Sequence, residues 1–298
     1  MKQTDSQATN DKAFMLVSKR LRRWTMRIAL AMFLIFWVVY GIACQMSETE
    51  FSRRPEPGMQ LGEYATATPW TITYLSGGEP GAPRIIYVHG TPGSASAFDD
   101  YLERPIAGFE GFSIDRPGFG DTRPPKPAYT LHEQALVIGP LLVECGGQWP
   151  ILVGHSLGAP IICRVAAEYP DRVRGLVLLS GSLNPKEEHI AWYQRLGDFA
   201  FVPYLLPRWL RNTNRELFPM KKELEELAPM LGELRCPTVI VHAKNDSLVP
   251  FGNVQYMRET IPKDTVVKIV ELEDKNHFIP WNAESVVRDA IEAVAKAS

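Results

Sequence analysis

Residues 150–158 read Pro-Ile-Leu-Val-Gly-His-Ser-Leu-Gly. An apolar run closed by Gly-His-Ser-Leu-Gly, with a helix-like stretch following at once over 159–169, describes a buried strand driven through a sharp turn into a helix. Gly154 and Gly158 suit such a turn, because strand and helix then meet too closely for side chains. Ser156 stands at the tip, lifted clear of the sheet, with helix N-terminal amides aimed at whatever its hydroxyl attacks. Gly-x-Ser-x-Gly alone matches many glycine-rich loops. The strand before it and the helix after it make the signal specific.

The rest of the chain alternates in the same manner. Strands are expected at 70–74, 84–89, 111–115, 151–156, 175–180, 238–243 and 265–272, and helices at 94–102, 130–145, 157–169, 251–261 and 281–297. Short apolar runs alternating with helices predict an α/β domain over 61–298, with a mostly parallel sheet covered on both faces. Residues 184–220 interrupt the alternation. This insertion reads as short helices broken by Pro203, Pro207 and Pro219, and it carries Trp192, Tyr193, Phe199, Phe201, Tyr204, Trp209 and Phe218. It suits a small helical cap above the serine; for any one of these aromatics, packing against the core is the plainer expectation.

A serine at its free pKa is a poor nucleophile and needs an adjacent base, itself oriented by an acid. Six histidines are available. His277 alone follows the last strand, at the sheet edge where strand C-termini converge; His89, His132, His155, His189 and His242 read as structural. The acid is expected after the preceding strand, where Asp246 stands, with Asp274 as a rival whose closeness to His277 suggests a turn residue. The order Ser156, Asp246, His277 follows a known pattern for such turns. Oxyanion donors are expected at the N–H of Leu157 and, in the loop His89-Gly90-Thr91-Pro92-Gly93, at the N–H of Thr91, since Pro92 has none to donate.

With these residues assembled, the chain resembles the α/β-hydrolase superfamily over about 61–298. The resemblance is carried by the serine turn, the His-Gly-x-Pro-Gly loop, Asp115-Arg116-Pro117-Gly118-Phe119-Gly120, the loop bearing Asp246, and Asn276-His277-Phe278. Thr122 and Ala243 depart from the usual residues without touching the chemistry. The resemblance implies a Ser-Asp-His hydrolase acting on a small-molecule ester, with no metal or organic cofactor. Serine at 156 argues against relatives that place aspartate there, such as haloalkane dehalogenases and epoxide hydrolases. Amidase, aminopeptidase, carbon–carbon hydrolase and acyltransferase chemistry stay open, as does a non-catalytic binding module. A small-to-medium apolar acyl group is the expected substrate, and the insertion shows no acidic cluster near its aromatic half that would hold a free amino terminus.

Charge and hydropathy divide the N-terminal region. Residues 1–27 carry net +5 against −2 for the whole chain, and Ile28–Cys44 has no charged residue. The expected organisation is a basic leader over 1–27 (loose to about residue 20), a membrane helix over 28–44 and a tether over 45–60. Lys19, Arg20, Arg22, Arg23 and Arg27 precede the apolar run, against Arg53 and Arg54 after it. That bias places the N-terminus in the cytoplasm and the catalytic domain on the periplasmic or extracellular side. A cleaved leader or a lipoprotein site at Cys44 is the alternative. The overall charge offers no footprint for nucleic acid. Cys44, Cys145, Cys163 and Cys236 lack metal-type spacing and are expected as free thiols. Oligomeric state is not legible.

Overall fold

The computed structural model describes residues 3–47 and 55–298. A first helix, α1 (Gln3–Ser47), is followed by strands β1 (Met59–Ala65), β2 (Thr71–Gly78) and β3 (Arg84–Val88). A 3-10 turn at Ala95–Phe98 leads into α2 (Asp99–Glu103), then β4 (Glu110–Ile114), α3 (Leu131–Ile138), β5 (Ile151–His155), α4 (Gly158–Glu168) and β6 (Gly175–Leu179). The insertion holds α5 (Trp192–Gly197), a 3-10 turn at Val202–Leu205 and α6 (Arg208–Leu217). The chain closes with α7 (Met220–Leu231), β7 (Thr238–Ala243), α8 (Gly252–Thr260), β8 (Val266–Leu272), α9 (Ile279–Asn282) and α10 (Glu284–Ala297).

The eight strands form one sheet in the order β1-β2-β4-β3-β5-β6-β7-β8. From β4 to β8 every pairing is parallel, while β1 and β2 join antiparallel at one edge. Successive side chains on a strand point to opposite faces, so the central strands feed two cores. Ile86, Val88, Leu152, Leu176, Leu178 and Ile240 pack with α3, α4, α7 and α8 on one side. Ile85, Tyr87, Val153, Val177, Val239 and Val241 pack with α2 and α10 on the other. Strands buried on both faces explain the unbroken apolar runs in the sequence.

Three local readings need correction. Residues 3–20 are helical rather than loose; with no Gly or Pro before Gly41, nothing stops the apolar helix from extending back through them. β1 lies where residues 45–60 run out and went unread, since an edge strand with one exposed face carries little apolar signal. The helix expected over 130–145 ends at Ile138. Its start is a capping box, with the Thr130 hydroxyl accepting from the Glu133 N–H at 3.1 Å and the Glu133 carboxylate accepting from the Thr130 N–H at 3.2 Å. Its stop is Pro140, which has no N–H to continue an α-helix and sits in a 3-10 turn instead. Of the expected tether, residues 48–54, including Arg53 and Arg54, lie outside the described residues. Within α1, Arg20–Ile42 is long and apolar enough to cross a bilayer.

Candidate active site

The site forms where the parallel strands end. Ser156 follows β5 directly, in the left-handed region with φ 56°. A serine there is strained by roughly 1–3 kcal/mol, and the surrounding contacts must hold it. Its N–H donates to the Leu179 carbonyl at 2.9 Å, and its carbonyl accepts from the Ala159 N–H at 3.1 Å. A side chain at Gly158 would run into the Val88 carbonyl, and one at Gly154 into Gly158 itself. The turn therefore closes only with glycine at both positions.

The loop after β7 carries Asp246, and the loop after β8 carries His277. Nδ1 of His277 donates to Asp246 Oδ2 at 2.8 Å. The second oxygen, Oδ1, accepts from the N–H groups of Leu248 and Val249 at 2.9 and 2.8 Å. Burial opposes ionisation of Asp246, but the His277 hydrogen bond and the loop amides outweigh it and hold the carboxyl at about 2. Asp274 is exposed and makes no contact with His277 among the described residues. Ser156, His277, Thr91 and Leu157 line one cavity of about 550 Å3, within the usual range for small-molecule sites.

The expected oxyanion donors are also at this edge. Among the described residues, neither the Thr91 nor the Leu157 N–H is engaged by another acceptor. The Thr91 hydroxyl donates to Thr213 Oγ1 of α6 at 3.0 Å, so it ties the loop to the cap. Of the remaining histidines, His189, expected as structural, lines the cavity, because the start of the insertion passes beside it, whereas His155 and His242 are supports. His155 donates from Nε2 to the His277 carbonyl at 2.9 Å, with its ring 4.7 Å from the His277 ring. Burial, reinforced by His277, pushes its pKa down to about 3. His242 lies with Nε2 3.8 Å from Asp246 Oδ2 and 3.1 Å from the Val249 carbonyl, and burial lowers its pKa too. His132 pairs with Glu168 on the surface.

Sequence reasoning missed two parts of the site. The first is a buried ion pair: Arg116 donates from both terminal nitrogens to the Glu216 carboxylate at 2.8 and 3.1 Å. The same guanidinium donates to the carbonyls of His89 and Gly90 at 3.0 and 2.8 Å. It thereby couples the Thr91 loop to α6. Spacing could not reveal this pair, since its partners lie 100 residues apart. The second is acidic. Glu187 and Glu188, at the start of the insertion, line the cavity, contrary to the expectation that the insertion lacks acidic residues near its aromatic part. Glu187 accepts from Asn253 Nδ2 at 2.9 Å, and Glu188 accepts from the Ser182 hydroxyl. The chain passes close to the strand ends here, which composition alone does not show. Leu206, Leu210, Leu217, Leu248 and Val249 supply the apolar remainder of the wall.

Among the described residues no cluster of His, Cys, Asp and Glu has the arrangement to hold a metal ion. Cys145, Cys163 and Cys236 are free, and burial raises the Cys163 and Cys236 thiols above their ordinary value.

Residues 83–221 match a family model described as the alpha/beta hydrolase fold. The chain is 29% identical over 173 residues to epoxide hydrolase A of Mycobacterium tuberculosis, covering 56% of this chain and 52% of that protein. It spans about half the length of the curated relatives it matches. Among solved structures, the Cif epoxide hydrolase from Acinetobacter nosocomialis superposes with a TM-score of 0.66 at 15% identity, covering 85% of this chain and 96% of that one. The Paleococcus ferrophilus monoacylglycerol lipase superposes with a TM-score of 0.61 at 21% identity, covering 76% and 99%.

Proposed function

We propose that this chain, which has the alpha/beta hydrolase fold, is a membrane-tethered serine hydrolase cleaving a carboxylic ester through an acyl-enzyme. The observation that carries this reading is the 2.8 Å His277–Asp246 hydrogen bond, made beside a cavity that Ser156 lines from a positive-φ turn.

In this mechanism Ser156 Oγ attacks the ester carbonyl carbon while His277 Nε2 takes the hydroxyl proton. Asp246 keeps the Nδ1–H tautomer in place and stabilises the imidazolium. The N–H groups of Leu157 and Thr91 receive the negative charge that grows on the carbonyl oxygen. Collapse breaks the bond to the leaving alcohol, which departs with the proton from His277. Water, deprotonated by the same imidazole, then releases the acid and restores Ser156.

Serine also argues chemically for an acyl substrate over an epoxide. A serine oxygen that opened an epoxide would be left as an alkyl ether, with no carbonyl for water to attack. An acyl group leaves an ester, which the same His–Asp pair can hydrolyse. The leucine-lined wall suits an apolar acyl arm, whose burial stabilises binding by about 0.8 kcal/mol per methylene.

Glu187 and Glu188, which line the same cavity, favour one second reading, an amide or ester bearing a cationic amine. The N-terminal helix supplies the tether: its 23-residue span Arg20–Ile42 is about 35 Å long at about 1.5 Å per residue, enough for a bilayer core.

The test is fluorophosphonate labelling of the purified full-length chain and of Ser156→Ala, followed by aryl esters of rising acyl length and matched amides. Labelling lost in the variant, with rates rising from acetyl to medium chains and then falling, supports the ester reading. Faster turnover of cationic amides than of matched esters would favour the second. Labelling that survives in Ser156→Ala would overturn both.

A further inference from the structure

Six of the seven cap aromatics do not act as packing glue; Phe218, at the end of α6, is half-buried. Trp192, Tyr193, Phe199, Phe201, Tyr204 and Trp209 are each between 47% and 74% exposed, and they fall within one stretch of the insertion. Six exposed rings in so short a stretch are more than the single apolar residues scattered on an ordinary surface, and they mark something that covers them. Three observations say what. First, α1 packs against the 3-10 turn Val202–Leu205; a side chain at Gly41 would lie 3.8 Å from the Tyr204 carbonyl. Gly41 is one residue before the end of the bilayer-length stretch Arg20–Ile42. Tyr204 and its neighbours are therefore level with the end of the apolar helix, where a membrane would meet water. Second, Trp and Tyr are the side chains that sit best at that depth, with rings in the acyl boundary and polar atoms among headgroups. Third, residues 190–215 hold Arg195, Arg208, Arg211 and Arg215 against Asp198 alone. Arg215 pairs with Asp198 and Arg208 donates inward to the Gly120 carbonyl, so Arg195 and Arg211 are the charges that make the surface net positive and complementary to anionic lipid.

We propose that the outer face of the cap docks in the headgroup region of the bilayer that α1 crosses, and passes a membrane-partitioned acyl ester to Ser156 directly from the lipid. Tyr193 and Leu210 belong both to this exposed face and to the cavity wall, so the lipid-facing surface runs into the active-site cavity without a break. The substrate class is then an amphiphile whose acyl chain resides in the membrane, and the leucines of the cavity replace the lipid around it. The proposal rests on the serine-hydrolase reading of the site and on α1 crossing a membrane.

The experiment uses the full-length chain in phosphatidylcholine vesicles, with and without phosphatidylglycerol, containing a phospholipid with a photoactivatable diazirine near its headgroup. Labelled peptides are mapped by mass spectrometry. Labels on both α1 and residues 190–210, the latter increased by phosphatidylglycerol, are expected. Labels on α1 alone would overturn the docking and leave the tether standing. Absence of label from α1 would overturn the membrane reading, and the proposal with it. In a parallel sample without the lipid probe, cross-links formed by a reagent with two diazirines from the cap to a second copy of the chain would assign the face to an oligomer and overturn the proposal.

A kinetic arm compares a long-chain fluorogenic ester embedded in the vesicles with a soluble butyrate ester. Phe199→Ser with Phe201→Ser removes two exposed rings that do not line the cavity. This double variant should lose on the order of tenfold or more in kcat/KM on the embedded ester, because both rings then leave the lipid. On the soluble ester it should match the unmodified protein, which also shows that it has folded. Equal losses on both esters would overturn lipid-side delivery. An unmodified protein that hydrolyses neither ester would instead defeat the hydrolase reading, while the labelling still decides the docking.

Discussion

The Arg116–Glu216 pair offers the sharpest test of how the cap is held to the core. Both side chains are essentially without solvent, at 0% and 1% exposure, so water cannot replace a lost partner. Their attraction is strong in that setting, but much of it offsets the cost of dehydrating two charges. Removing one partner is therefore far more damaging than the net value of the pair suggests. Glu216→Gln keeps the shape and one acceptor while leaving the guanidinium without a counter-ion, and should cost about 3–5 kcal/mol. For a domain of this size that is a fall in Tm of roughly 6–20 °C.

Arg116→Met should cost more than Glu216→Gln. It strands the Glu216 carboxylate and also orphans the His89 carbonyl, worth about 1–3 kcal/mol when buried without a donor, while the Gly90 carbonyl keeps the hydrogen bond it accepts from His89 Nδ1 at 2.7 Å. The double variant Arg116→Met with Glu216→Gln should cost less than the sum of the single changes, with a coupling of about 2 kcal/mol or more. Denaturant melts of the four proteins, in one detergent, give the cycle. Because Arg116 grips the carbonyl just before Thr91, turnover of a soluble ester should fall in Arg116→Met beyond what its unfolded fraction explains. Additive losses, or a Glu216→Gln cost below about 1 kcal/mol, would refute the argument that a dry ion pair joins cap and oxyanion loop.

Further outcomes follow from the same geometry. Ser156→Ala and His277→Ala should each lower kcat by on the order of a millionfold without additive loss in the double variant, and a double much slower than either single would contradict shared action. Asp246→Asn should lower kcat by roughly 10⁴-fold because the amide holds the wrong imidazole tautomer, whereas Asp274→Asn should be near neutral; the reverse ranking would move the acid. His155, held at about 3, lies below its unfolded value, so its contribution is complete above pH 6.5 and is lost as pH falls towards 3. That loss has a slope of about 1.4 kcal/mol per pH unit, so His155→Gln should flatten the acid limb of a stability–pH curve, and an unchanged limb would rule His155 out as its source. A reporter fused after Ser298 should be active outside the cytoplasm, and activity only within it would invert the proposed orientation.

Most of the sheet was legible because its strands are buried on both faces. Residues 238–243 were read with their observed bounds, since Thr-Val-Ile-Val-His-Ala carries an apolar run and ends in a charged loop. β1 was not legible, because Met59–Ala65 is exposed on alternate residues and reads like the tether before it. At the site, Ser156, Asp246 and His277 could be named from chain order because each follows a strand in the one direction that brings loops together. Arg116, Glu216, Glu187 and Glu188 carry no such order. They meet only because the insertion folds back across the strand ends, a tertiary event with no local pattern.

The cap divides into two halves with different physics, and that division explains why its aromatics were misjudged. α6 is fastened from one face by polar groups: Asn212 donates to the Gly118 carbonyl at 2.7 Å, Thr213 accepts from Thr91, and Glu216 receives Arg116. These residues are spaced to lie on one side of a helix. The helix thus docks on the core through a polar seam, which hydropathy reads as solvent-facing. The stretch before it, from Trp192 to Tyr204, shows the reverse pattern, with rings outside and few anchors within. A hydropathy rule that sends apolar groups inward assigns both halves to the wrong side. The error has a single cause: the rule assumes water on the outer face. If the surroundings there are lipid headgroups and acyl chains, exposed rings and a polar inner seam become the low-energy arrangement.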